Sequence, residues 1–312
     1  MAALLRSKLM LRANKNALTI TADLCKKIFV RHANASQAMS SVSLSSLDDH
    51  VIGALSNAPL PGVSVGIIKP GEVEPIFRSY GVARYNTENM EMSMPVSEHT
   101  IFPIGSISKN FTALSIMQLV QQGRIELDAP IATYLPTVKI NSSSPITIRH
   151  LLSHTSGIKE FRGMTDIFSL LFGGSDSKAS DAGLRRYYEG GPALPVAAAP
   201  GQAYLKSHHN YGLLALLVEQ EANLPVRDYF HKHIFEPLEM TSTDLVLRED
   251  MREQLSDAFR MTSSGAAVLK KALSGPVKAA QGGYTSAADM AKYVAALADP
   301  EGRGRGAVGA AA

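Results

Sequence analysis

The chain has 312 residues, 45% of them hydrophobic, enough to build one large domain or two, which excludes a mostly disordered chain and a staple-dependent miniprotein. Its single cysteine, Cys25, cannot form an internal disulfide, and no Cys/His spacing resembles a zinc site, so a disulfide scaffold and a structural metal domain are both excluded. The net charge of +3 is unevenly spread: residues 1–47 hold seven basic residues against Asp23 alone, which is +6 and leaves −3 for the rest. Such a body has no basic face to neutralise phosphates, and nucleic acid is excluded as a main partner.

Residues 1–47 read as an address or tail rather than as fold. They are rich in Arg and Lys, nearly free of acids, and end in a Ser-rich stretch over 36–46. That composition fits a mitochondrial transit peptide, with a disordered basic tail as the alternative. The expected location is therefore mitochondrial, otherwise cytoplasmic. A secretory signal needs an unbroken apolar core of roughly 7 to 15 residues, and Arg6, Lys8, Arg12 and Lys15 interrupt each apolar patch here. No stretch is long and apolar enough to cross a bilayer, since even residues 213–218 are short and followed by Glu219.

Downstream, residues 48–58 have helical spacing through Val51, Ile52 and Leu55. Pro61-Gly62 leads into a β-branched run over 63–68, and a second extended run over 75–85 completes a predicted hairpin. From 111 to 120, apolar residues cover most of a helix surface, which predicts a helix buried on nearly all sides and stopped by Gly123. A short piece follows Asp128-Ala129-Pro130 and ends at Tyr134-Leu135-Pro136. Residues 147–154 predict a helix terminated by Gly157, and 173–183 a loop. Helices are predicted again over 211–221, 226–234 and 287–297. Residues 265–283 are poorly patterned, and 299–312 are Gly/Ala/Arg without periodicity, expected to be a disordered tail.

The candidate nucleophile is Ser106, with Lys109 three residues on. Ser156 to Lys159 and Ser175 to Lys178 have the same Ser-x-x-Lys spacing, but Gly157 interrupts the first and a Gly/Ser/Asp loop holds the second. Only Ser106 opens a long buried helix. At i and i+3 the two side chains share a face, so the amine reaches the hydroxyl. First-turn N–H groups favour negative charge on the serine oxygen, and burial lowers the lysine's proton affinity, so a neutral lysine can activate the serine. The bland alternative is a serine N-cap followed by a solvated lysine.

Pro61-Gly62-Val63-Ser64-Val65, residues 100–109, residues 119–135, Leu151-Leu152-Ser153-His154-Thr155-Ser156-Gly157 and residues 234–240 occur here in one order, with Gly282-Gly283-Tyr284-Thr285-Ser286 and residues 287–290 after them. That series resembles the serine β-lactamase-like family, the group of class C β-lactamases, DD-peptidases, related esterases and mitochondrial β-lactamase-like proteins. The resemblance implies an α/β fold of β-lactamase/transpeptidase type, a helical domain inserted in an α/β domain. The α/β part is expected over 48–100 and about 280–298, the mainly helical part over 101–279. It also implies acyl transfer at their junction, with Ser106 and Lys109 as the first signature.

The family's second signature, Tyr-x-Asn, falls on Lys206-Ser207-His208 when counted from Pro200-Gly201 and back from Gly212-Leu213. Lys206 stands for the tyrosine and His208 for the asparagine. Both can move protons or donate hydrogen bonds, and a Lys206 ammonium would help keep one of two nearby amines neutral. The alternative is decay, with both residues plain surface polar groups. The third signature, Lys/His-Thr-Gly or a His-x-Gly variant, has no match between 290 and 312. Its strand normally gives one oxyanion donor, and loss of such a donor costs on the order of 100-fold to 1,000-fold in rate. The chain is therefore expected to be truncated, its α/β domain lacking C-terminal strands and leaving the 63–85 hairpin, marginal alone, without sheet partners.

His154 reads as part of a structural turn, and His231 and His233, two apart on a helix, point in different directions, so no metal and no cofactor are expected. The expected activity is serine acyl-enzyme hydrolysis or transfer on an amide, ester or peptide bond of a small-molecule or peptide substrate. The rival is a catalytically inactive or truncated member with a binding or assembly role. Oligomeric state is not readable from the sequence.

Overall fold

The computed structural model describes residues 44–57, 61–68, 74–84, 93–160, 182–261, 267–269, 279 and 282–298. Most of the basic 1–47 segment, the predicted loop up to residue 181 and the 299–312 stretch lie outside the described residues. In chain order the first elements are α1 (Leu44–Asn57), β1 (Gly62–Ile67), β2 (Ile76–Arg84), β3 (Met94–Pro95), β4 (Ile101–Pro103) and, after a 3-10 turn at Gly105–Ile107, α2 (Ser108–Gln121). Next come α3 (Ile131–Tyr134), β5 (Ile140–Asn141), α4 (Ile148–Leu152), α5 (Ala182–Glu189), β6 (Leu194–Pro195) and α6 (His208–Ala222). The last are α7 (Val226–Phe230), continued by a π-helical turn at His231–Phe235, then β7 (Phe259–Met261), β8 (Ala267–Leu269), β9 (Tyr284–Ser286) and α8 (Ala287–Ala298).

The chain divides into two compact units. Among the described residues, the first holds 44–57, 61–65, 77–84, 93–100, 255–261 and 267–269. There α1 starts at Leu44 rather than at the predicted 48, burying Val51 and exposing Ile52. The predicted hairpin forms, but it is not two-stranded: β3 adds to β2 in the order β1-β2-β3, with Val82 opposite Pro95. A two-residue strand was invisible because it has no room for an alternating pattern. Tyr80 donates its phenol to Asp48 at 2.5 Å, and burial followed by that bond pushes the phenol up to about 12. Strand β8 lies in the 265–283 stretch that has no clear pattern in the sequence and pairs antiparallel with β7 just before it.

The second unit holds the described residues 66–68, 74–76, 101–160, 182–254, 279 and 282–298, so the β9–α8 segment groups with the helices. Its centre is α6, in which residues 209–218 are all buried. A helix apolar on every side must be surrounded, and α2, α4, α5 and α7 pack around it. On α2, Phe111 meets Phe235 and Tyr293 edge-on at centroid distances of 5.1 and 5.0 Å, burial that contributes about 1.5–3 kcal/mol per ring. The helix stops at Gly123 as the sequence predicts. Arg124 N–H donates to Leu119 C=O and Gly123 N–H to Val120 C=O, the paired bonds that close a helix C-terminus.

Two features hold the end of this unit that leads into α2. Strand β4 pairs antiparallel with β9, Ile101 opposite Ser286 and Pro103 opposite Tyr284, and Ile104 N–H donates to Gly283 C=O at 3.0 Å. Strand β9 in turn is tied by a two-way backbone bridge between Tyr284 and Asp244. The Asp244 side chain is 1% exposed. It accepts two parallel bonds from Arg227 at 2.8 and 2.7 Å and one from Arg248 at 3.2 Å, with His231 Nε2 at 3.1 Å. Burial alone would raise its proton affinity, but the bonds from Arg227, His231 and Val246 N–H hold the carboxyl far below the ordinary range. His233 stacks on Tyr229 instead, at 4.3 Å between ring centres, so the two histidines do diverge as their spacing requires.

Candidate functional site

Ser106 sits on a strand–turn–helix elbow. Gly105 takes φ +53°, a left-handed conformation that glycine adopts without a Cβ penalty, and turns the chain from β4 into the 3-10 turn. The sequence places Ser106 in the first turn of the long helix; in the structure α2 begins two residues later, with Ile107 at its N-cap. The effect is to lift Ser106 out of the helix, where it is exposed, while Ser108 and Lys109 are buried behind it.

Lys109 Nζ donates to Ser106 Oγ at 3.1 Å. Lys109 is only 8% exposed, and its ammonium lies 5.6 Å from the centre of the Tyr211 ring. Burial first, and then the positive charge of Lys206, pulls the amine down from 10.5 to about 8, with Glu160 opposing. The solvated-lysine alternative is therefore not what the fold builds, and Ser106 caps no helix. The other Ser-x-x-Lys serine that is described, Ser156, is fully buried and donates its hydroxyl to Asn210 Oδ1 at 2.7 Å. It is part of the framework.

The Lys206-Ser207-His208 triplet straddles the N-terminus of α6. Ser207 is the N-cap, its hydroxyl accepting from His209 N–H. Lys206 is exposed, and its charge acts on both Lys109 and His154. His208 faces Glu160 Oε1 through Nδ1, and its main-chain N–H donates to Glu160 Oε2 at 2.9 Å. Burial raises the Glu160 carboxyl, but the bonds from His208 outweigh it and leave the group below its ordinary range.

His154 turns the chain after α4 with φ +57°. Its Nδ1 accepts from Asn210 Nδ2 at 2.9 Å and Ser207 N–H at 3.4 Å. Burial first, and then the charges of Lys109 and Lys206, drop its imidazole to about 4, so it is neutral at pH 7. His154 works here as an uncharged hydrogen-bond acceptor between the turn and α6, in keeping with a structural turn. Gly157 closes that turn at φ +76°, where a Cβ would lie 1.9 Å from Ala198 C=O.

The fold thus brings together Ser106 and Lys109, places Lys206 within electrostatic reach of the lysine, and turns His208 toward a carboxylate. Glu160 and Tyr211 were missed. Tyr211 had a signal, standing three residues after His208 on the same helix face. Glu160 had none, being 48 residues from its partner. Among the described residues no cluster of His, Cys, Asp and Glu is arranged to hold a metal ion, and no helix is long and apolar enough to cross a membrane.

An exposed serine on an elbow with a buried lysine amine against its hydroxyl is an arrangement in which the amine can take the hydroxyl proton. The chain belongs to the beta-lactamase family, whose profile, described as Beta-lactamase, matches residues 47–310. A protein named Beta-lactamase from Yersinia enterocolitica is 26% identical over 247 residues, 79% of this chain and 57% of that protein. Protein flp of Staphylococcus aureus (strain NCTC 8325 / PS 47) is 30% identical over 195 residues, 61% of this chain and 36% of that protein. Among solved structures, an octameric penicillin-binding protein homologue from Pyrococcus abyssi aligns with a TM-score of 0.67 and 26% identity, over 86% of this chain and 58% of that one. A class C beta lactamase aligns with a TM-score of 0.65 and 23% identity, over 86% and 67%. The mixed helix and strand architecture is therefore the α/β fold of this family. The chain spans between about a third and just over half of the length of these curated relatives.

Proposed function

We propose that the chain carries the acylating centre of a serine hydrolase or transferase acting on amide, ester or peptide carbonyls. The observation that carries this reading is the 3.1 Å contact from the buried Lys109 amine to the exposed Ser106 hydroxyl. Ser106 Oγ bonds to the carbonyl carbon as its proton passes to neutral Lys109. The carbon–leaving-group bond then breaks, and the leaving atom takes a proton from the Lys109 ammonium or from Lys206. Water completes the cycle by hydrolysing the ester on Ser106. A fluorophosphonate probe is the test: it labels the wild type, and Ser106→Ala abolishes the labelling. Equal labelling of the two proteins would rule this reading out and favour an inactive family member with a binding role.

Lys206 has a separate expected effect. Its charge is the second cause of the lowered Lys109 amine, so Lys206→Ala raises that amine's proton affinity. A base works when deprotonated, hence the rate of acylation rises with pH through the Lys109 midpoint near 8, and in Lys206→Ala the rise moves to higher pH. At pH 7 acylation slows several-fold, and raising the pH restores it. A burst-rate profile against pH that is identical in the two proteins would remove Lys206 from this role.

A further inference from the structure

We propose that Glu160 is a positioning residue that fixes His208 as the proton-transfer group for hydrolysis of the Ser106 ester; this rests on the acylating role of Ser106 above. Both carboxylate oxygens of Glu160 are committed to His208, Oε1 to the ring and Oε2 to the main-chain N–H at the start of α6. The two contacts hold backbone and imidazole to the same planar group, so the ring cannot turn about without breaking one of them. An ionised carboxylate only accepts hydrogen bonds, so Nδ1 must carry the proton facing it. Among the described residues Nε2 of His208 makes no hydrogen bond, which leaves its lone pair for chemistry.

His208 starts the helix whose Tyr211, three residues on, has its ring centre 5.6 Å from the Lys109 amine that bonds Ser106. His208 follows Lys206 by two residues at the same helix start. Glu160 itself acts on Lys109. An acid-held imidazole is the arrangement that carries general base catalysis in serine hydrolases of other folds, assembled here beside a lysine-activated serine.

The step balances simply. Water loses a proton to Nε2 as its oxygen bonds to the acyl carbon, and the carbonyl electron pair moves onto oxygen. Collapse of that centre breaks the bond to Ser106 Oγ, which takes the proton back from Nε2. A carboxylic acid leaves, and Nδ1–H stays on Glu160 throughout.

The test compares Glu160→Gln, Glu160→Ala, His208→Ala and the double variant Glu160→Ala/His208→Ala, all on the full chain with p-nitrophenyl acetate. Measured on the plateau above the Lys109 midpoint, where the charge of Glu160 on that amine no longer changes the fraction of free base, the first-turnover burst is expected to persist in each, while steady-state turnover falls roughly 100-fold or more in His208→Ala and to a similar level in Glu160→Ala. The double variant is expected to be no slower than His208→Ala, because the two residues act as one device. Rescue follows the chemistry: Glu160→Gln, which keeps an acceptor, falls less than Glu160→Ala. Imidazole 15N spectra give a readout independent of turnover, with the His208 proton on Nδ1 in the wild type and redistributed to Nε2 in Glu160→Ala. Wild-type turnover in Glu160→Ala, further loss in the double variant, or a wild-type proton on Nε2 would each overturn the proposal. Absence of any Ser106-dependent burst in the wild type would instead defeat the acylating reading, and the 15N spectra would still decide what Glu160 does to the ring.

Discussion

Changing Lys109 to methionine will abolish acylation of Ser106 and at the same time stabilise the protein at neutral pH. The first effect follows from removing the base, whose loss costs roughly 10²- to 10⁴-fold in the burst rate. The second follows from the lowered amine. Lys109 is held near 8 in the folded chain against an ordinary 10.5, so the unfolded state binds the proton more tightly. The resulting penalty on folding is fully present below pH 8, shrinks as pH rises from about 8 to 10.5, and is absent above that. Methionine matches the length of the buried stem without a charge to desolvate, so the expected gain at pH 7 is about 1–3 kcal/mol. Urea denaturation of the two proteins at pH 7 and pH 10 checks it: a gap at pH 7 that narrows at pH 10. A Lys109→Met protein that is less stable at pH 7 would mean that the bond to Ser106 and the contact with Tyr211 outweigh desolvation.

Asp244→Asn has the largest expected effect on stability. The buried carboxylate answers two guanidinium groups and lies against His231, and removing one member of a buried ionic group while leaving the others costs about 3–5 kcal/mol. In a chain of this size that lowers the melting temperature on the order of 10 °C, measurable by circular dichroism. The sign with pH is that of a depressed acid: the stabilisation is present above the ordinary carboxylate value of 3.8 and is lost as pH falls through the lower folded value. The wild type is therefore expected to lose its advantage over Asp244→Asn in acid. Function suffers too, since Asp244 holds β9 and β9 holds β4, the strand that leads to the Ser106 elbow. An Asp244→Asn protein melting with the wild type would show that the cluster is marginal.

The pieces of this fold that a sequence exposes are those set by local pattern. The apolar surround of α2 and its stop at Gly123 were readable, as were α6, α8 and the β1–β2 pair, because each carries its own period or punctuation. The candidate nucleophile was picked out by the same local logic, since only one Ser-x-x-Lys serine leads into a long buried helix. What joins distant residues was not. The β4–β9 pairing unites two three-residue strands some 180 positions apart, too short for any alternation. The Gly105 turn moved Ser106 off the helix, a backbone conformation that residue types around it do not announce. His208 looks solitary in the sequence, and its carboxylate arrives from 48 residues away. The pull of Lys206 on Lys109 was expected only because the resemblance puts Lys206 on the second signature; local pattern does not reveal it, since it depends on how the α6 start is placed against α2. The mitochondrial address remains a proposal resting on composition alone, with residues 1–43 outside the described structure.

The central claim is that a buried Lys109 activates Ser106, and rapid-quench acylation by p-nitrophenyl acetate with peptide mass mapping tests it most directly. The acetyl adduct is expected on Ser106, formed at a rate that rises with pH through a midpoint near 8 and levels off above it. An adduct on another residue, or a rate on Ser106 that shows no midpoint in that range, would contradict it.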